Sequence, residues 1–70
     1  MRQDATIVLT NTGPGLYEIL GGSGPLADEL PPATNWRISD LLNCATERNW
    51  ELEAEQTRGK LRTLYFGRTG

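Results

Sequence analysis

Apolar and polar positions alternate along the first part of the chain and predict a β-hairpin over residues 1–20. β-Branched residues dominate residues 5–12, and LYEIL follows at residues 16–20 after a Gly-Pro-Gly turn. The next segment, residues 21–33, is rich in glycine and proline and predicts a long, mostly irregular loop. Within that loop, LADEL is expected to form one helical turn after a proline.

Residues 34–49 show the clearest helical periodicity. Thr34 or Asn35 is the expected cap, Asn49 suits a left-handed helix end, and Trp50 is expected to pack back on the last turn. The apolar stripe of this helix recurs at i, i+3, i+4 and i+7 and consists of Ile38, Leu41, Leu42 and Ala45.

The C-terminal segment, residues 50–68, predicts a second hairpin with Arg58-Gly59 as its turn, so that Glu55 lies opposite Arg62. Strand alternation then gives two faces. The outer face carries the charges together with Leu64 and Phe66. The face predicted to cover the helix consists of Trp50, Leu52, Ala54, Gln56, Leu61, Thr63 and Tyr65.

These elements predict a single α+β domain of order β-β-α-β-β, with an antiparallel sheet covered on one face by a single amphipathic helix. Residues 41–68 also resemble the C-terminal part of a widespread bacterial family of small domains of unknown function. The matching residues are Leu41-Leu42-Asn43, Asn49-Trp50-Glu51-Leu52 and Tyr65-Phe66-Gly67-Arg68, with Asn49 where the family usually has glycine. The resemblance implies a helix followed by a hairpin, and it implies no activity.

Composition narrows the function. The 70-residue chain has one cysteine and no histidine, so an intramolecular disulfide is impossible and neither a zinc site nor another metal centre is expected. Without histidine and with Cys44 beside the apolar stripe, no catalytic constellation is visible, so we expect neither an enzyme nor a bound cofactor. No segment has the length of a membrane helix, and a reduced thiol without an export signal predicts a cytoplasmic protein.

Nucleic-acid binding and nucleotide binding are two alternatives to a protein-binding function. All nine acidic residues precede residue 57, and the basic residues Arg58, Lys60, Arg62 and Arg68 follow with two aromatic residues among them, which would suit a nucleic-acid strand. The acidic remainder of the chain would repel phosphate, so nucleic acid is the weaker alternative. An oligomer that binds a nucleotide is the third hypothesis. It ranks last because the glycine-rich segments match neither a dinucleotide fingerprint nor a P-loop.

The favoured prediction is a non-enzymatic protein-binding module, such as a small bacterial or phage accessory protein that inhibits or modulates a larger partner. Small domains with no disulfide and no structural metal often gain stability by association, so a homodimer is also expected. The predicted contact residues are Lys60, Arg62, Leu64, Phe66 and Trp36, together with the loop at residues 21–33. Trp36 has a second interpretation, as a structural plug over Pro31-Pro32.

Overall fold

The computed structural model describes residues 1–69 and confirms an α+β fold with four antiparallel strands and one main helix packed on the sheet. The order of the strands in the sheet is β2-β1-β4-β3. The elements are β1 Arg2–Gly13, β2 Leu16–Ser23, α1 Leu26–Glu29, α2 Ile38–Glu47, β3 Glu51–Arg58 and β4 Leu61–Thr69. The two hairpins therefore join through their long strands, β1 and β4, at the centre of the sheet.

The core lies between the sheet and the helices. Alternate residues of β1 and β4 face the helices, and Ile7 and Leu64, which are paired across the two strands, are both fully buried. Each helix contributes from its apolar side. The complete buried set is Ala5, Ile7, Leu9, Leu26, Leu30, Trp36, Leu41, Ala45, Trp50, Leu64 and Phe66.

The segment expected to be a loop over residues 21–33 is partly a strand. β2 continues through Ser23, with Gly21 and Gly22 paired to β1. A side chain at Gly22 would collide with the backbone carbonyl of Thr6, so glycine permits this close pairing. The helical turn predicted in LADEL is present as α1.

The main helix is shorter than the predicted range of residues 34–49. It begins at Ile38 with Arg37 as N-cap, and neither Thr34 nor Asn35 caps it. Asn35 instead accepts a hydrogen bond from Thr12, and Trp36 forms an antiparallel bridge with Tyr17 on β2. These contacts hold the segment before the helix in an extended conformation against the edge of the sheet.

The end of α2 follows the prediction from sequence. Asn49 adopts a φ of 65°, the left-handed conformation that asparagine tolerates, and Trp50 then donates its backbone N–H to the carbonyl of Ala45 at 2.9 Å. The Trp50 side chain is only 1% exposed. The chain therefore reverses sharply and enters β3 directly.

The C-terminal hairpin differs from the prediction in register. Its turn is Gly59-Lys60 rather than Arg58-Gly59, so that Thr57 lies opposite Arg62 and Glu55 lies opposite Leu64. Glu55 and Arg62 still form an ion pair at 2.6 Å, now along a diagonal. An irregularity between Leu52 and Ala54 places Glu53 in a β-bulge.

The faces of β4 are also reversed relative to the prediction. Leu64 and Phe66 were placed on an exposed outer face, but they are 0% and 2% exposed and lie beneath the helices. Conversely, Leu61 and Tyr65 were expected to cover the helix and are 46% and 37% exposed. On β4 the two sets alternate as predicted, but the wrong set was assigned to the core. Trp50, which was also predicted to cover the helix, is buried as expected.

Candidate protein-contact surface

The face of the sheet opposite the helices, called here the open face, is the most distinctive surface of residues 1–69. Cross-strand pairing arranges its side chains in four rows across β1, β4 and β3. From the β3–β4 turn inward, row 1 is Thr10, Leu61 and Arg58; row 2 is Val8, Thr63 and Gln56; row 3 is Thr6, Tyr65 and Ala54; row 4 is Asp4, Gly67 and Glu51. On β2, Glu18 extends row 1 beside Thr10, and Gly21 and Ser23 extend rows 2 and 3.

The centre of the open face is uncharged. Rows 2 and 3 contain only apolar residues, threonine, glutamine, glycine, serine and tyrosine, whereas charged residues stand in rows 1 and 4. A depression of about 250 Å³ lies between rows 1 and 2, and Tyr65 stands beside it in row 3. The depression is lined by Val8, Gln56, Arg58, Leu61 and Thr63. An uncharged centre with an exposed tyrosine, next to an exposed leucine in row 1, is typical of a surface that contacts another protein.

The charged side chains near the open face differ in whether they are paired within the described chain. At the row 4 end, Arg2 bonds both Asp4 and Glu53, and the two side chains of the Arg2–Glu53 pair cover Gly67. At the row 1 end, Arg58 is exposed and forms no ion pair with any residue of the described chain. Arg58 therefore remains available to a partner.

The residues predicted from sequence as contact residues differ in where the structure places them. Leu64, Phe66 and Trp36 lie in the core, the tryptophan at 6% exposure, so the prediction that they form an exposed surface is wrong. The burial of Trp36 agrees with a structural role, and its packing over Pro31-Pro32 stays a prediction. Its Nε1 finds no hydrogen-bond partner within residues 1–69. Lys60 is exposed in the β3–β4 turn, and a contact role for it stays a prediction.

Arg62 lies on the helix-facing side and is largely committed to internal contacts. Its guanidinium donates to Glu55 at 2.6 and 2.9 Å and to the hydroxyl of Tyr17 at 3.3 Å. The hydrogen bond to Glu55, followed by that to Tyr17, raises the pKa of Arg62 above its ordinary value. Arg62 thus extends the core at this end of the sheet, and its role in partner binding stays untested.

A second polar cluster, the Arg68 clamp, joins the opposite end of the sheet to both helices. Arg68 binds the two carboxylate oxygens of Glu29 in α1, each at 2.8 Å, and donates to the carbonyl of Arg48 after α2 at 3.1 Å. Its guanidinium also lies over the ring of Trp50, 4.2 Å from the centroid, and Trp50 Nε1 donates to Glu29 at 3.2 Å. Hydrogen bonds from Arg68, and then from Trp50, hold the pKa of the Glu29 carboxyl below its ordinary value.

A polar cavity of about 380 Å³ adjoins the Arg68 clamp between the end of α2 and the strands β3 and β4. Both basic residues that line it are already paired, Arg2 with Glu53 and Arg68 with Glu29. Residues 1–69 contain no cluster of side chains suited to holding a metal ion. The clamp and its cavity thus consist mainly of groups that satisfy one another, which is the arrangement of a structural device.

Comparisons with known proteins add no family or function to this geometry: no family model, no curated protein and no solved structure matches the chain. The resemblance of residues 41–68 to the bacterial small-domain family therefore stays a prediction. No helix within residues 1–69 is long and apolar enough to cross a membrane.

Proposed function

We propose that this chain is a non-enzymatic protein-binding module, an accessory protein of the inhibitor type that contacts a larger protein through its open face. The observation that carries the proposal is the uncharged centre of that face. Tyr65 in this centre is 37% exposed, and Leu61 beside it in row 1 is 46% exposed. An aromatic side chain beside a depression is a frequent centre of binding energy in protein interfaces.

Paired cations make the nucleic-acid alternative weaker. Of the four basic residues that follow residue 57, Arg62 and Arg68 form ion pairs with Glu55 and Glu29. Only Arg58 and Lys60 remain for phosphate, and a groove that tracks a strand needs more cations than these. The charge reversal between β3 and β4 therefore mainly serves the fold, and no specific feature supports a nucleotide site.

The experiment is a capture of partners by immobilised protein from nuclease-treated bacterial lysate, comparing the wild-type chain with Tyr65→Glu. The substitution places a charge at the centre of the open face without touching the core. Asn43→Glu, on the exposed side of α2, adds the same charge elsewhere and is the matched control.

We expect a stoichiometric protein that wild type and Asn43→Glu both retain and that Tyr65→Glu loses, with affinity for the purified partner weakened at least about tenfold. Equal thermal unfolding of the two variants would show that both are folded. A partner held equally by Tyr65→Glu would refute the use of the open face, and binding that disappears with nuclease would favour nucleic acid.

A further inference from the structure

We infer that the open face also pairs with the open face of a second copy of this chain. The two copies are related by a two-fold axis that lies between the two sheets, parallel to the rows, at the level between rows 2 and 3. The inference rests on the proposed use of this face for protein contacts, and it names a specific occupant. The axis places row 1 of one copy over row 4 of the other, and row 2 over row 3. Each contact then occurs twice, as in any two-fold interface.

Charge supports this arrangement. Arg58 and Glu51 both lie on β3, in rows 1 and 4, so the axis sets Arg58 of each copy over Glu51 of the other. Both side chains are exposed, and neither forms an ion pair within residues 1–69. Two unpaired charges of opposite sign therefore meet twice around an uncharged centre, and their long side chains can span the offset of roughly 30° between aligned sheets.

Shape supports the same axis. Tyr65 in row 3 is 37% exposed, and the axis brings its ring over Thr63 in row 2 of the other copy. Thr63 lines the depression of about 250 Å³ on the open face. The exposed ring in row 3 and the depression between rows 1 and 2 lie on opposite sides of the axis, so each copy offers a ring and receives one. Uncharged rows then stack on uncharged rows.

The available area fits a dimer of modest strength. Four strands about 4.8 Å apart and four rows about 6.7 Å apart cover roughly 500 Å² per copy, or about 1,000 Å² in total. This total lies at the lower limit for specific protein interfaces. We therefore expect an equilibrium between monomer and dimer in the micromolar range of protein concentration.

Sedimentation of two charge-reversal variants, alone and mixed, tests the inference. Arg58→Glu and Glu51→Arg each bring like charges together at both contacts, and each should weaken the dimer about tenfold. An equimolar mixture restores opposite charges at both contacts of the mixed dimer. We expect the mixture to associate about as tightly as wild type, a rescue that changes within one chain cannot produce. Lys60→Glu alters net charge as Arg58→Glu does but lies in the turn, and it should leave the dimer unchanged.

Three results would overturn the inference: a wild-type chain that stays monomeric up to about 1 mM, single variants that associate as well as wild type, or a mixture that shows no rescue. The capture experiment with Tyr65→Glu judges the proposed function separately. A monomeric chain whose larger partner is lost with Tyr65→Glu would leave the proposed function intact. If the mixture restores the dimer but the captured partner still binds Tyr65→Glu, the result would support the second copy and refute the larger partner at this face.

Discussion

Replacing Glu29 with glutamine would remove the charge at the centre of the Arg68 clamp while keeping the size of the side chain. The wild-type carboxylate accepts two hydrogen bonds of 2.8 Å from Arg68 and one of 3.2 Å from Trp50. Glutamine retains one acceptor and turns an N–H₂ group toward the guanidinium, where two donors face each other. The arginine would keep its stacking on Trp50 and its bond to the Arg48 carbonyl.

The magnitude follows from how far the pair is buried. The side chains of Arg68 and Glu29 are 20% and 29% exposed, which places the pair between a surface ion pair and a fully buried one. We therefore expect a loss of about 1–2 kcal/mol in the free energy of unfolding. For a domain of this size, that loss lowers the melting temperature by roughly 5–15 °C. Asp28→Asn, an exposed neighbour with no side-chain bond in the described chain, is the control and should change little.

Acid should abolish the difference in the free energy of unfolding between Glu29→Gln and wild type. Because the folded-state pKa of Glu29 lies below its ordinary value of 4.5, the carboxylate stabilises the fold fully above that value. The stabilisation is lost as pH falls through the lowered folded-state pKa. Thermal unfolding from pH 7 down through the pH at which Glu29 of the folded protein takes up its proton measures the closing gap. A variant that melts like Asp28→Asn at pH 7, or a gap that persists in acid, would refute the charge-based reasoning.

Three further pairs of substitutions test the assignment of the faces and the backbone geometry. Leu64→Ala should cost about 2–5 kcal/mol in urea unfolding and Leu61→Ala less than about 0.5, because only Leu64 is buried; equal costs would contradict the observed core. Gly24→Ala should cost at least about 1 kcal/mol, since Gly24 has a φ of 77° and a side chain would meet the Asp4 carbonyl, whereas Gly21→Ala meets open space and should be tolerated. Asn49→Ala should lose about 1 kcal/mol and Asn49→Gly should not, unless the φ of 65° contributes no strain.

The order of the elements and the end of the helix could be predicted because both depend on neighbouring residues. Turn residues mark the first hairpin, the apolar stripe marks α2, and Asn49 followed by Trp50 specifies the reversal into β3. The start of α2 could not be found in this way. The residues before it are held by contacts to β1 and β2, from Thr12 to Asn35 and from Tyr17 to Trp36, and these contacts override local capping preferences.

The buried face of the C-terminal hairpin depends on a pairing between distant parts of the chain. Alternation separates two sets of side chains, but it does not say which set faces the helices. That choice is made by β1, whose Ile7 lies across from Leu64. The basic residues of β4 share a face with Leu64 and Phe66, so the sequence pattern indicated that this face is exposed. In the structure, Arg62 and Arg68 lie at the two ends of the core and are paired with acids. A count of charges on the strand therefore favoured the wrong face.

The Arg68 clamp and the open face were both missed for the same physical reason. Arg68 meets Glu29 across 39 positions of sequence, so no local pattern reveals the pair. The open face combines β1 with the C-terminal hairpin, and its rows exist only once β1 and β4 are neighbours. One signal was available: β1 alternates Ala5, Ile7 and Leu9 with the more polar set Thr6, Val8 and Thr10, which identifies its inward face.

The edges of the sheet explain why the open face, rather than strand addition, is the favoured contact surface. β3 is an edge strand, but it carries Glu51, Glu53 and Glu55 together with a bulge, features that oppose pairing with another strand. At the opposite edge, Trp36 already occupies the backbone groups of Tyr17 through bonds of 2.7 and 2.8 Å. Charge and a bulge protect β3, and the start of β2 is already paired with Trp36, so the open face is the favoured contact surface. The same Glu51 that discourages pairing along β3 then lies where a two-fold axis brings it to Arg58 of another copy.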